Sequence, residues 1–287
     1  MLLNDKPARP GGHKLPGFAV RAAVAFAVAS TLVAAAPQAL PAPATEPPIY
    51  SMVYRTSAAV ERISAAHNGL VADCMARLGF AYTVTQQTGT EDRPAPFGLE
   101  SVDAPPETGF AEDPERATDA YMRALYGAPN DRVAAKGKRI TVSRPANGCV
   151  ADAERHLLGD GRVRWIQLRI LLFEAEEDAL KRLDQDHGFT ELNSRWHQCM
   201  RQAGFDWPDP LRLLDDLPKD TDIRTHPATN ADVRCKHETA YLTTAYARLS
   251  VMQQEVLDED PSLVADWTTL FTRQDNAASA SSPRKIP

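Results

Sequence analysis

Four cysteines, Cys74, Cys149, Cys199 and Cys235, hold most of the chemistry that this sequence could perform. The last two have histidines beside them, in His197-Gln198-Cys199 and Cys235-Lys236-His237. Two thiolates and two imidazoles are a ligand set for zinc or copper. Thiols with depressed pKa values would instead be nucleophiles. Oxidised pairs would be structural staples. The metal reading is the weaker one, because residues two apart on a helix point about 200° apart, so each histidine and its cysteine face different ways. No Cys-x-x-Cys pair is present for thiol–disulfide exchange. G-x-S-x-G, H-E-x-x-H, a phosphate-cradling glycine loop and an EF-hand loop are also missing. These residues point to no metal and no cofactor. Asp and Glu number 38, so a hydrolase using a carboxylate pair stays open, but nothing selects one pair from the rest.

The spacing around two of the cysteines says more. Cys74-Met75-Ala76-Arg77-Leu78-Gly79-Phe80 returns later as Cys199-Met200-Arg201-Gln202-Ala203-Gly204-Phe205. If Gly79 and Gly204 are the C′ residues of two helices, Phe80 and Phe205 fall at C″, and Met75 and Met200 at C3. Glycine accepts the positive φ of C′ without a Cβ penalty, and C″ touches C3 in a Schellman stop. The pattern M-x-x-x-G-F is thus a helix stop with its apolar contact built in. An aromatic residue follows each copy, Tyr82 and Trp207, and a proline-bearing loop then leads to a second cysteine. The first copy has Ala72 and Ala151 where the second has His197 and His237, a further argument against a metal. The arrangement reads as a duplicated unit: helix with cysteine, loop, helix with cysteine. Four cysteines allow three connectivities. Equivalent units closing equivalent loops predict Cys74–Cys149 and Cys199–Cys235.

The elements that position these residues are helical. Val60, Ile63, Leu70, Cys74 and Leu78 recur at helical spacing, with His67 as a core-edge histidine between Ile63 and Leu70. A short helix is expected around Glu115 to Tyr126. A basic, turn-rich linker then leads to Asn147-Gly148-Cys149, where the next helix starts. Gly159-Asp160-Gly161 interrupts it, and a long helix follows to about Asp184. On that helix the acidic run Glu174, Glu176, Glu177 and Asp178 reads as a solvent face, and so do Arg162, Arg164 and Arg169. Further helices are expected from about Glu191 to Ala203, over Asn230 to Leu257, and from Pro261 onward. Residues 83–112 and the stretch from Pro208 to Pro227 read as proline-marked loops. No convincing alternating strands are present. The expected fold is all-α: a helix bundle of duplicated helical-hairpin units, about 53–186 and 187–276, stapled by disulfides. A flexible lead-in at 45–52 and a disordered tail at 277–287 would flank it.

Residues 1–44 read as a signal peptide. Lys6, Arg9, Lys14 and Arg21 precede or open an apolar run from Ala22 to Ala36, and Ala42-Pro43-Ala44 supplies a small-residue site. Fifteen apolar residues are short for a bilayer span of about 20. Cleavage after Ala44 by a Sec-type route is expected, with an uncleaved anchor as the alternative. Removal of four basic residues and one acid, Asp5, takes the net charge from -6 to -9. A domain that acidic is a poor binder of nucleic acid and is repelled from anionic surfaces unless a local basic patch intervenes.

The segments WHQCMRQAGFDWPDP and ATNADVRCKHETAYLTTAYARL resemble a group of exported actinobacterial proteins with no assigned activity. That group carries W-x-x-C-M-x-x-x-G and then A-x-x-A-D-x-x-C leading a long helix. Ala228, Ala231, Asp232 and Cys235 match the second pattern, whereas Val71 replaces the tryptophan in the first half. The resemblance covers mainly residues 190–260. It implies an envelope location and a helical fold, and it implies no catalytic residues. The expected function is an extracytoplasmic, non-catalytic binding or scaffold module whose partner is a protein or other envelope component, with no transmembrane domain after cleavage. The runner-up is a secreted hydrolase whose carboxylates lie near the 83–112 loop.

Overall fold

The computed structural model describes residues 46–82, 93–101, 118–218 and 221–281. The expected signal segment, residues 83–92 and 102–117, and the end of the tail lie outside the described residues. Helices dominate, as their periodicity predicts: α1 (Pro48–Val53), α2 (Ala58–Arg77), α3 (Asp119–Tyr126), α4 (Cys149–Leu158), α5 (Arg162–Asp184), α6 (His187–Gln202), α7 (Pro210–Asp216), α8 (Pro227–Glu238), α9 (Tyr241–Asp258) and α10 (Pro261–Ser281). One antiparallel hairpin, β1 (Arg132–Lys136) with β2 (Thr141–Pro145), interrupts them. No helix among the described residues is long and apolar enough to cross a membrane.

Helix starts follow side-chain chemistry. Ser57, Thr118, Asp186 and Asp209 accept backbone N–H groups at the starts of α2, α3, α6 and α7. Pro48, Pro210 and Pro227 occupy first-turn positions, where the missing N–H costs nothing. The main core gathers Leu168, Leu172, Ala175, Ala179 and Leu183 of α5 with Trp196 and Met200 of α6 and Tyr246 and Leu249 of α9. A smaller core lies between α2, α3 and α4. A third cluster, Ala135 with Ile166 and Ile170, seats the hairpin on α5.

Several expectations are corrected, each for a tertiary reason. The lead-in 45–52 is not flexible where it is described. Ile49 and Tyr50 of α1 are fully buried, and Ile49 N–H donates to Gln253 Oε1 at 2.9 Å. The disordered tail starts too early, because α10 continues to Ser281 with Ala278 fully buried. The basic linker is the hairpin; Ala135 is its one buried strand residue, so no alternation marks it in the sequence. The helix expected over Asn230 to Leu257 is two helices, broken where Ala240 takes φ 50. The loop from Pro208 to Pro227 contains α7.

Candidate functional site

The cysteines pair as Cys74–Cys149 and Cys199–Cys235, with Cα atoms 5.6 and 5.7 Å apart, within reach of an ordinary disulfide. The first joins α2 to α4 and the second joins α6 to α8. Both α2 and α6 end on a glycine with positive φ, 84 at Gly79 and 91 at Gly204. Gly79 N–H donates to Ala76 O and Phe80 N–H to Met75 O, both at 3.0 Å. Gly204 N–H donates to Arg201 O at 3.1 Å and Phe205 N–H to Met200 O at 2.9 Å. These are the two bonds of a Schellman stop, made twice. The stops and staples occupy separate cores and converge on no common site. As for the metal alternative, His197 Nε2 is spent on Asp206 Oδ1 at 2.7 Å, while His237 is exposed.

A cleft opens elsewhere, between α2, α4, α5, α10 and the hairpin. One part of it, 260 Å³, is lined by Ile63, Ser64 and His67 of α2, Trp165 and Arg169 of α5, and Trp267, Phe271 and Gln274 of α10. A second part, 610 Å³, is lined by Ile140, Val142 and Arg144 of the hairpin and by Phe173. His67, Glu154, Trp165 and Arg169 line both. Trp165 stacks on Trp267 with ring centroids 4.3 Å apart and planes at 27°. Glu154 accepts from the buried Arg162 Nε at 2.6 Å, so its charge is balanced at the wall. Phe173 is 49% exposed and lines the second part of the cleft.

The hairpin wall is fixed by residues assigned to a solvent face in the sequence. Glu174 is fully buried and accepts three backbone N–H groups in the hairpin turn: Lys138 at 2.6 Å, Arg139 at 2.5 Å and Ile140 at 2.8 Å. Burial acts to raise its pKa, but the three donors and the Arg139 charge outweigh it and hold the carboxyl below the usual glutamate value. A Cβ at Gly137 would lie 2.5 Å from that carboxylate, so only glycine lets the turn approach. Arg139 also reaches Asp178 and Glu177. Glu176 is buried as well and accepts from the Tyr54 hydroxyl at 3.2 Å; burial raises its pKa. The basic run is corrected at Arg162 alone, which is buried; Arg164 is part-exposed and pairs with Asp266.

Two further polar groupings were missed by sequence reasoning. Lys236 Nζ donates to Asp232 Oδ2 at 2.8 Å and to Leu99 O at 2.7 Å, while Trp196 Nε1 donates to Asp232 Oδ1 at 2.9 Å. Both charged side chains are fully buried next to the second staple, on α8. The i,i+4 spacing of Asp232 and Lys236 was the available signal. The segment 93–101 is bolted over them by Phe97, which packs against Phe189, Tyr241 and Tyr246. Beside Pro96 and Phe97 lies a cavity of 560 Å³ that Asp184, Asp209 and Asp215 line. Burial and the Asp209 charge raise the Asp184 pKa, while Asp209 caps α7 through Leu211 and Arg212 N–H, both at 3.0 Å.

No protein-family model matches this chain, and no curated protein or solved structure matches it either.

Proposed function

We propose that this chain is an extracytoplasmic, non-catalytic helical module of the cell envelope that binds its partner in the cleft beneath the hairpin. One observation carries the reading: Trp165 and Phe173 are presented by walls already held by a stacked indole and a three-donor carboxylate anchor. Aromatic side chains dominate binding hot spots, and pre-ordered walls lower the ordering cost of association. Two disulfides support an oxidising compartment. Export through a Sec-type signal peptide at residues 1–44, descent from a duplicated unit, and kinship with the exported actinobacterial group belong to the same proposal. The partner is a protein or another envelope component. A photo-crosslinking amino acid at Phe173 tests it in the exporting cell, with Val251, 53% exposed and outside the cleft, as control. A discrete adduct is expected at Phe173 and not at Val251. Equal labelling at both positions, or none at either, rejects the reading.

A second reading has its own observation. Asp184 and Asp209 share a cavity next to the 93–101 segment, and the raised Asp184 pKa suits a general acid. A panel of chromogenic glycosides and esters tests it. Turnover abolished by Asp184→Asn supports a hydrolase, and turnover indifferent to that change removes it.

A further inference from the structure

Basic residues are concentrated where the overall charge of -6 would not place them. Residues 119–170 hold ten Lys and Arg against five Asp and Glu. Within this stretch a concavity of 680 Å³ opens between α3 and the hairpin. Arg123 of α3, Arg132 of β1 and Arg144 of β2 line it, with Asp119 as the one acid of the lining. None of the three arginines forms an ion pair among the described residues. Arg132 is held in place: its Nε donates to Ser143 Oγ at 2.7 Å and a terminal nitrogen to Ser143 O at 2.6 Å. Apolar surface adjoins the cations, with Met122 44% and Tyr126 41% exposed on the same lining.

We propose that this concavity binds a small organic oxyanion, a carboxylate- or phosphate-bearing molecule with an apolar body. Guanidinium forks match planar oxyanions in geometry as well as charge. Met122 and Tyr126 ask for an apolar body and leave bare inorganic phosphate half-matched. Three arginines on an acidic chain are too few to track a nucleic-acid backbone, and a hollow presents no convex face to a bilayer. The site shares Arg144 with the cleft, while Arg123 and Tyr126 line this hollow alone of the two, so variants at Arg123 separate it from the cleft reading.

The anionic dye anilinonaphthalenesulfonate and its uncharged analogue phenylnaphthylamine test the proposal on the full chain. The sulfonate dye is expected to bind about tenfold more tightly than the neutral one, a difference of about 1.4 kcal/mol. Arg123→Gln, which leaves the cleft untouched, should weaken the sulfonate dye and not the neutral dye; Arg123→Lys should restore part of the loss. Raised salt should weaken the sulfonate dye alone. Octanoate and octyl phosphate should displace the dye, and the stronger competitor names the head group. Equal affinity for the two dyes, an Arg123→Gln variant that binds like the native chain, or displacement by neither competitor overturns the assignment. Circular dichroism of the variant confirms that its helices persist.

Discussion

The Cys74–Cys149 staple sits in a core of six buried residues, Val71, Met75, Tyr121, Leu125, Cys149 and Ala153. The Cys199–Cys235 staple instead borders the main core, with fully buried Trp196, Asp232 and Lys236 alongside it. The helix stops are alike to within tenths of an ångström in their hydrogen bonds, so local sequence determines the stop and not its surroundings. The two stations differ in what would remain if the covalent bond were lost. Around the first, a small apolar cluster would hold α2, α3 and α4 together, with α10 packed against α2 and α4 and Arg62 of α2 paired to Asp275. Around the second, a buried ion pair, an indole N–H and a packed aromatic cluster would still operate.

The largest contrast is expected from removing each staple. The chain-entropy model gives roughly 4.5 kcal/mol for the longer loop and roughly 4 kcal/mol for the shorter. Cys74→Ser with Cys149→Ser should therefore cost slightly more in urea unfolding than Cys199→Ser with Cys235→Ser. It should also uncouple hydrogen exchange in α3 from the rest of the chain. Equal protection of α3 in both variants would erase the contrast between the two cores.

Lys236→Met attacks the second station's polar support and leaves Asp232 as a buried charge without its partner. A loss of roughly 3–5 kcal/mol is expected by denaturant titration. Adding Asp232→Asn, which removes the unpaired charge and keeps an acceptor for Trp196 Nε1, should recover part of it. A double variant as unstable as the single one would mean that the pair holds the 93–101 segment through Leu99 O rather than by charge.

Glu174→Gln should cost about 1–3 kcal/mol, since it weakens three charge-assisted hydrogen bonds into the hairpin turn. The pH dependence has a defined sign. A carboxyl whose folded pKa lies below its unfolded value near 4.3 stabilises the fold above that value. Its contribution falls away as pH drops through the lower folded pKa. Amide exchange at Lys138, Arg139 and Ile140 should accelerate under those acidic conditions in the native chain and already at neutral pH in the variant. An acid response that Glu174→Gln leaves unchanged would assign it to another carboxylate.

The smallest effect tests the sameness of the two stops. An added Cβ would meet nothing within 4 Å at Gly79 or at Gly204, so only the positive φ opposes a side chain there. Gly79→Ala and Gly204→Ala should each cost about 1 kcal/mol. A difference larger than the error of the two measurements would mean that surroundings, and not the local motif, set the stop.

What the sequence revealed and what it hid divide along the same line. The helix stops and the pairing of the cysteines were legible because each depends on residues a few positions apart, or on a repeated pattern. The cleft was not legible, because His67, Trp165 and Trp267 belong to three helices far apart in the chain. Trp165 and Trp267 look like ordinary core residues until α10 is laid beside α5. Glu174 was misread for a related reason: an acidic run signals solvent, and only the arrival of the hairpin turn turns one of its members into an anchor. The hairpin itself is built from residues of weak strand character and is held from outside by that carboxylate.

The stacked indoles carry one more consequence, an optical one. Two aromatic transition dipoles with ring centroids 4.3 Å apart share their excited states. Trp165 and Trp267 should therefore give an exciton couplet in the far-ultraviolet circular dichroism, superimposed on the helical bands. Trp267→Phe should remove the couplet while leaving the helical signal in place. Followed through a thermal melt, the couplet reports the moment at which α10 leaves α5, and so separates the opening of the cleft from the melting of the bundle.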